Sequence, residues 1–202
     1  MQFDRAKLKD VILYACSRCE SSRLGAVKLH KVLYFSDMLH FASTGIPLTG
    51  ATYRKRPMGP TCDSLLTSLL ELSREGSLAI RDVDYFGYLK KEYNVLTEKA
   101  GESLSARQRE LLNEVIEFVC INNTAKTISE FSHNKAWEVA EFGEVLPYTS
   151  VFHIFPTQVS EDAKSWALGE ADEIEAARST SNPMDFVTFA AFRKRLHEEG
   201  VQ

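Results

Sequence analysis

Apolar residues fall on nearly every side of a helix predicted over residues 26–42, and the few polar groups it carries include Asp37, His30 and His40. Leu29, Val32, Leu33, Ser36 and His40 share one side of this helix, while His30, Tyr34, Asp37 and Phe41 share another. A helix of this kind is a buried, central element, so its ionisable groups need partners inside the fold. A first helix precedes it, capped by Asp4 and running to about residue 20, with Leu8, Val11, Ile12 and Ala15 in phase. Ser43, Thr44 and Gly45, with Pro47 behind them, stop the central helix. Residues 51–56 read as a short extended piece that meets Pro57 and Pro60. A third helix is predicted over 61–72, with Leu65, Leu66, Leu69, Leu70 and Leu72 on its buried side. Residues 78–83 and 88–96 read as two strands about a turn near Gly87.

From residue 97 the pattern is helical again. Ser105 or the residues before it cap an amphipathic helix that runs through residue 120, with Leu111, Leu112, Val115, Ile116 and Val119 in phase. A short helix over 127–131, a turn of helix at Trp137 and an extended stretch over 143–148 follow. Beyond Phe155 the composition shifts. A helix starting near residue 160 contains Trp166 and an acidic run to Glu175, and residues 179–183 form a linker. A last helix over 184–199 places Phe186, Phe189, Phe192 and Leu196 on one stripe. The fold class expected is α+β and mainly α-helical, a helical core with a small antiparallel sheet or hairpin. The element order is also compatible with a winged-helix arrangement. Residues 1–155 form the expected domain, and residues 156–202 a helical extension packed on that domain or on a partner.

The chain has 202 residues, 44% apolar and 26% charged, which suits one large soluble domain with an annex. No apolar run approaches the roughly 20 residues that span a bilayer, and the polar N-terminus lacks the apolar region of a secretory signal. The cytoplasm is therefore the expected location, with no membrane partner. The 24 Lys and Arg residues are outnumbered by 28 Asp and Glu residues, giving a net charge of −4. That balance argues against nucleic acid as a whole-surface partner, because phosphate binding needs an excess of cations facing it. Cys16 and Cys19 have the CxxC spacing, but no second pair or histidine set completes a zinc site. The four cysteines are read as free thiols, and no metal or cofactor is expected.

Several groups carry candidate chemistry. Asp37 and His40, three residues apart, can form a carboxylate–imidazole pair that orients a general base. Alternatively Asp37 bonds an Arg or Tyr of the next segment and fixes the core, the favoured reading with Arg54, Lys55 and Arg56 so close in sequence. Tyr53, Arg54, Lys55 and Arg56 suit a solvated strand edge, a protein contact or, less well, phosphates with the aromatic stacked on a base. Gly59 and Pro60 form a rigid turn into the following helix without a Walker pattern. Ser132, His133 and Trp137 are the most enzyme-like cluster, yet adjacent side chains on a helix diverge and no nucleophile elbow occurs in the chain. His133 is read as a hydrogen-bonder against the core, and an exposed Trp137 or Tyr148 as a binding anchor. No catalytic residues are assigned. A DNA-binding regulator is the alternative reading, opposed by a would-be recognition helix that lacks Lys and Arg and carries Asp63 and Glu71.

Lys28, Leu29, Lys31, Leu33, Tyr34, Phe35 and Asp37, then Thr44 to Leu48, Tyr53, Met58 to Pro60, Ser132, His133 and Trp137, and Gly143 to Tyr148 occur in one order. Together they resemble the Panacea domain, the family of SocA-like and phage-associated GepA-like bacterial proteins, over about residues 5–155. The resemblance implies an antitoxin that neutralises a cognate toxin by direct protein contact. A protease or chaperone is a further partner if the chain acts as a delivery adaptor, and a homo-oligomer is allowed. It supplies no catalytic residues, and the chain after Phe155 departs from it. The partner-binding set expected is Tyr53, Arg54, Lys55, Arg56, His133, Trp137 and Tyr148. Asp37, His40, Gly59 and Pro60 are expected to be structural.

Overall fold

A computed structural model describes residues 2–85 and 87–153, together with Ser165, Gly169 and Glu170. The chain divides into two compact units, Met1–Thr157 and Gln158–Gln202. In the second, Ser165, Gly169 and Glu170 are helical. The predicted linker at 179–183, Trp166 and the aromatic stripe over 184–199 lie outside the described residues.

The first unit is mainly helical with two small antiparallel sheets. Helix α1 (Arg5–Arg18) starts where the Asp4 carboxylate accepts the Lys7 N–H at 2.9 Å. Helix α2 (Ala26–Thr44) is buried at every position from Lys31 to Met38, as its apolar sides require. It ends at Gly45, whose φ of 74° lets its N–H return to the Phe41 carbonyl at 2.8 Å. Around it pack α1, α4 (Ala106–Ile116), α5 (Ala125–Phe131) and a 3-10 turn (Tyr148–His153). Helix α4 starts with a reciprocal Ser105–Gln108 capping box and passes into a π-helical turn (Glu117–Ile121), so the helix expected through residue 120 changes pitch near its end.

Three short strands form one sheet in the order β2-β1-β5. Tyr53 of β1 (Tyr53–Arg54) pairs with Cys62 of β2 (Thr61–Cys62) and with Leu146 of β5 (Val145–Leu146). This corrects the third helix expected over 61–72. Thr61 and Cys62 are taken by the sheet, and α3 (Leu65–Arg74) begins only afterwards. Its exposed face carries Leu66 and Leu70, while Leu65, Leu69 and Leu72 are buried. Strands β3 (Leu78–Tyr85) and β4 (Tyr88–Val95) form a separate hairpin whose base is held by the buried Leu78 and Tyr93. Helix α6 (Lys135–Val139) is capped by Asn134, whose Oδ1 accepts the Trp137 N–H at 2.9 Å. No described helix is long and apolar enough to cross a membrane.

Asp37 sets the path of the chain after α2. Its side chain is sealed in the core; Oδ1 accepts the Thr49 N–H at 2.6 Å, and Oδ2 accepts Thr49 Oγ1 at 2.6 Å and Tyr53 Oη at 2.7 Å. An arginine was one expected partner, but neighbouring strand residues face opposite ways. With Tyr53 pointing inward, Arg54 points out to Asp63. The pair expected with His40 is also absent, because His40 Nδ1 bonds the Ile46 carbonyl at 2.7 Å and closes the end of α2. Burial pulls the Asp37 pKa above the usual carboxylate range, against the bonds from Thr49 and Tyr53. Tyr53 packs edge-on against Tyr34, with ring centroids 5.4 Å apart, and against Tyr148 at 6.2 Å.

Replacing Asp37 with Ala strands the Thr49 amide and two hydroxyls inside the core, and is expected to cost about 3 kcal/mol or more in urea unfolding. Tyr53→Phe removes one of these bonds and is expected to cost about 1 kcal/mol. A D37A protein as stable as the wild type would show that these bonds do not organise the fold.

Candidate functional site

The turn between β1 and β2 is fixed from below by α2. The buried Lys31 sends Nζ to the Pro60 carbonyl at 2.9 Å, and His30 Nδ1 accepts the Cys62 N–H at 3.1 Å. Gly59 lies over Lys31 with φ of 89°. A Cβ there would stand 2.3 Å from Ser132 Oγ and 2.6 Å from Lys31 Nζ, so both the backbone geometry and the packing demand glycine. Burial lowers the Lys31 ammonium to about 7. Burial, with Lys31 adjacent, lowers His30 to about 4 and also holds His133 below its ordinary value. The Nε2 of His133 is buried without a hydrogen-bond partner.

The same turn projects a surface outward. Arg54 Nε pairs with Asp63 at 2.7 Å, and its Nη1 donates to the Gly143 carbonyl at 3.0 Å. Lys55 Nζ donates to the Glu138 carbonyl at 3.1 Å and the Ala140 carbonyl at 3.0 Å, closing the end of α6. It also stands 4.3 Å from the Trp137 ring centre. His133 stacks on Trp137 with centroids 3.6 Å apart and planes within 5°. Trp137 Nε1 donates to the Arg56 carbonyl at 3.3 Å, and the Arg56 guanidinium lies 5.1 Å from the Phe142 ring centre. Phe142 is 68% exposed, Val139 72% and Met58 49%. Among the described residues, no carboxylate lies within ion-pair distance of Arg56.

The structure therefore brings together Arg54, Lys55, Arg56, His133 and Trp137 from the expected partner-binding set. It does not bring Tyr53, which is 1% exposed and bonded to Asp37, because strand alternation that sends Arg54 outward sends Tyr53 into the core. Tyr148 is half-buried with its hydroxyl donating to the Ala51 carbonyl at 2.6 Å. Phe142, Val139 and Met58 are not in the expected partner-binding set. Phe142 and Met58 sit in irregular segments where no periodicity marks an exposed apolar residue, and Val139 ends a helix of five residues, too short for periodicity to show its exposure.

The other candidate chemistry is dispersed. Asp37 is sealed away from both histidines named with it, and His40 lines a shallow groove with Arg107, Glu110 and Glu114. Cys16, Cys19, Cys62 and Cys120 are free and buried. Burial pushes Cys16 and Cys62 up to about 12, whereas a hydrogen bond with Cys120 lowers Cys19. No group of three metal-ligating side chains is found among the described residues.

The fold and this surface define a mainly helical α+β protein with an aromatic and cationic face built from two turns. The family model "Antitoxin SocA-like, Panacea domain" matches residues 29–138, more than half of the chain, and the chain belongs to that family. Membership points to an antitoxin-like role and, in general terms, to a toxin as partner. The match starts within α2, includes both the β1–β2 turn and Trp137, and stops before Phe142 and β5. No curated protein and no solved structure matches the chain.

Two measurements probe the support beneath the surface. The Lys31 pKa is lower folded than unfolded, so between pH 7 and 10.5 the unfolded chain binds the extra proton. Stability contributed by this group is present above 10.5 and is lost as the pH falls to 7. Lys31→Met is expected to remove up to about 5 kcal/mol of that pH dependence, read as a flatter urea-midpoint curve against wild type. Equal slopes for the two proteins would contradict the assignment. Gly59→Ala is expected to lower the melting temperature by several degrees, since the added methyl meets Ser132 and Lys31 in a left-handed backbone.

Proposed function

We propose that this protein is the antitoxin of a toxin–antitoxin pair and neutralises its toxin by direct protein contact in the cytoplasm, with no catalysis of its own. The family match carries the reading. The exposed Phe142 beneath Arg56 and Trp137 beneath Lys55 support contact as the mechanism, since binding anchors are enriched in aromatic residues and Arg. Occupying the toxin is the simplest mode, and delivery of the bound toxin to a protease or chaperone is compatible with the same contact. Residues 156–202 are proposed as an extension that adds partner-specific contacts to a domain spanning 1–155. The DNA-binding alternative has weaker support, because α3 turns Leu66 and Leu70 to solvent and has Arg74 as its one basic residue.

Co-expression with the product of the adjacent gene is expected to restore growth to cells that this product alone arrests, and the two proteins are expected to co-purify. Persistent growth arrest with no complex would reject the proposal.

A further inference from the structure

We infer that Arg56, laid over the exposed ring of Phe142, is the anchor of a docking surface that takes a single carboxylate flanked by apolar side chains on an acidic segment of a protein partner. The inference rests on the protein-binding reading above and names the place and chemistry of the contact. Its basis is the different state of three neighbouring cations. Arg54 has the Asp63 carboxylate, and Lys55 has two carbonyls and the Trp137 face. Arg56 has an aromatic face and no carboxylate among the described residues.

The arrangement holds Arg56 in place before a partner arrives. Its carbonyl accepts both Trp137 Nε1 at 3.3 Å and the Gly59 N–H at 2.9 Å, so the backbone is fixed on two sides. The guanidinium lies over Phe142, 5.1 Å from the ring centre, and among the described residues its N–H groups have no hydrogen-bond acceptor, so they are open to a carboxylate that can accept two parallel bonds. Phe142 itself, 68% exposed beneath the guanidinium, and the exposed Met58 in the same turn supply apolar surface for the neighbours of such a carboxylate.

The same features select against a polyanion. Phosphate backbones gain affinity by engaging several cations at once, and here Arg54 and Lys55 are already occupied. One acidic residue among apolar neighbours satisfies both Arg56 and the apolar surface beside it.

The test is selection of random phage-displayed dodecapeptides on the full-length protein, followed by fluorescence anisotropy with the selected peptides. Selected peptides are expected to carry Asp or Glu next to aromatic or aliphatic residues. Arg56→Glu and Phe142→Ala are each expected to weaken binding at least about tenfold, a change of 1.4 kcal/mol. Lys126→Glu, the same change of net charge on an exposed side chain of α5, is expected to leave it within about twofold. Peptides with the acid replaced by Lys should regain binding to Arg56→Glu. Unchanged melting curves for both variants separate lost contact from lost folding. Basic or uncharged selected peptides, equal binding to Arg56→Glu, or displacement by oligothymidylate would each overturn the inference, the last in favour of nucleic acid. A toxin complex that survives Arg56→Glu would reject this surface and leave the antitoxin reading intact. Acidic peptides captured at Arg56 without any toxin complex would do the reverse.

Discussion

A carboxylate enclosed by apolar side chains has to be supplied with donors, and in this protein the supply decides where the chain runs after α2. Asp37 draws in the backbone and hydroxyl of Thr49 and the phenol of Tyr53. That places β1 across the central helix and makes Tyr53 the inward residue of its strand. The outward direction of Arg54 then follows from strand geometry alone. Three neutral donors satisfy the acid without bringing a second charge out of water, which avoids the desolvation cost of a buried ion pair. The cations beside Tyr53 in sequence are thereby left to the surface.

A second polar fixture works one step further along. Lys31 and His30, consecutive on α2, bind the Pro60 carbonyl and the Cys62 amide and so hold the end of the turn that leads into β2. Gly59 permits the close approach, because the atoms that a Cβ would meet belong to Lys31 and Ser132. The turn is thus clamped between α2 and the end of α5. Its carbonyl at Arg56 is in turn the acceptor for Trp137, which ties α6 to the same frame.

Helical periodicity made most of this fold legible. The nearly continuous apolar circumference of α2 marked it as central, and Asp4, Ser105 and Gly45 marked helix ends through capping chemistry that depends on local residues. What escaped was decided by long-range pairing. Thr61 and Cys62 continue the leucine pattern that follows them, yet the partners that claim them are Tyr53 and Arg54 across a turn, and the third strand lies at Val145 and Leu146. The site divided in the same way. The cationic run and Trp137 were visible as residue types. Phe142 was not, because its role comes from the Arg56 guanidinium that folding brings over it. Tyr53 was misplaced because residue type alone does not say which way a strand faces.

The clamp beneath the β1–β2 turn has a consequence for how this protein can change over generations. Every fixing of that turn, from Lys31, His30, Gly59 and Pro60, is made on its inner side or by its backbone, while the side chains of Arg56, Met58, Val139 and Phe142 carry little of the core. Substitutions on the outer face therefore leave the frame standing. The outer face is free to drift with whatever surface it must recognise, and the buried lysine beneath it is the part that cannot follow.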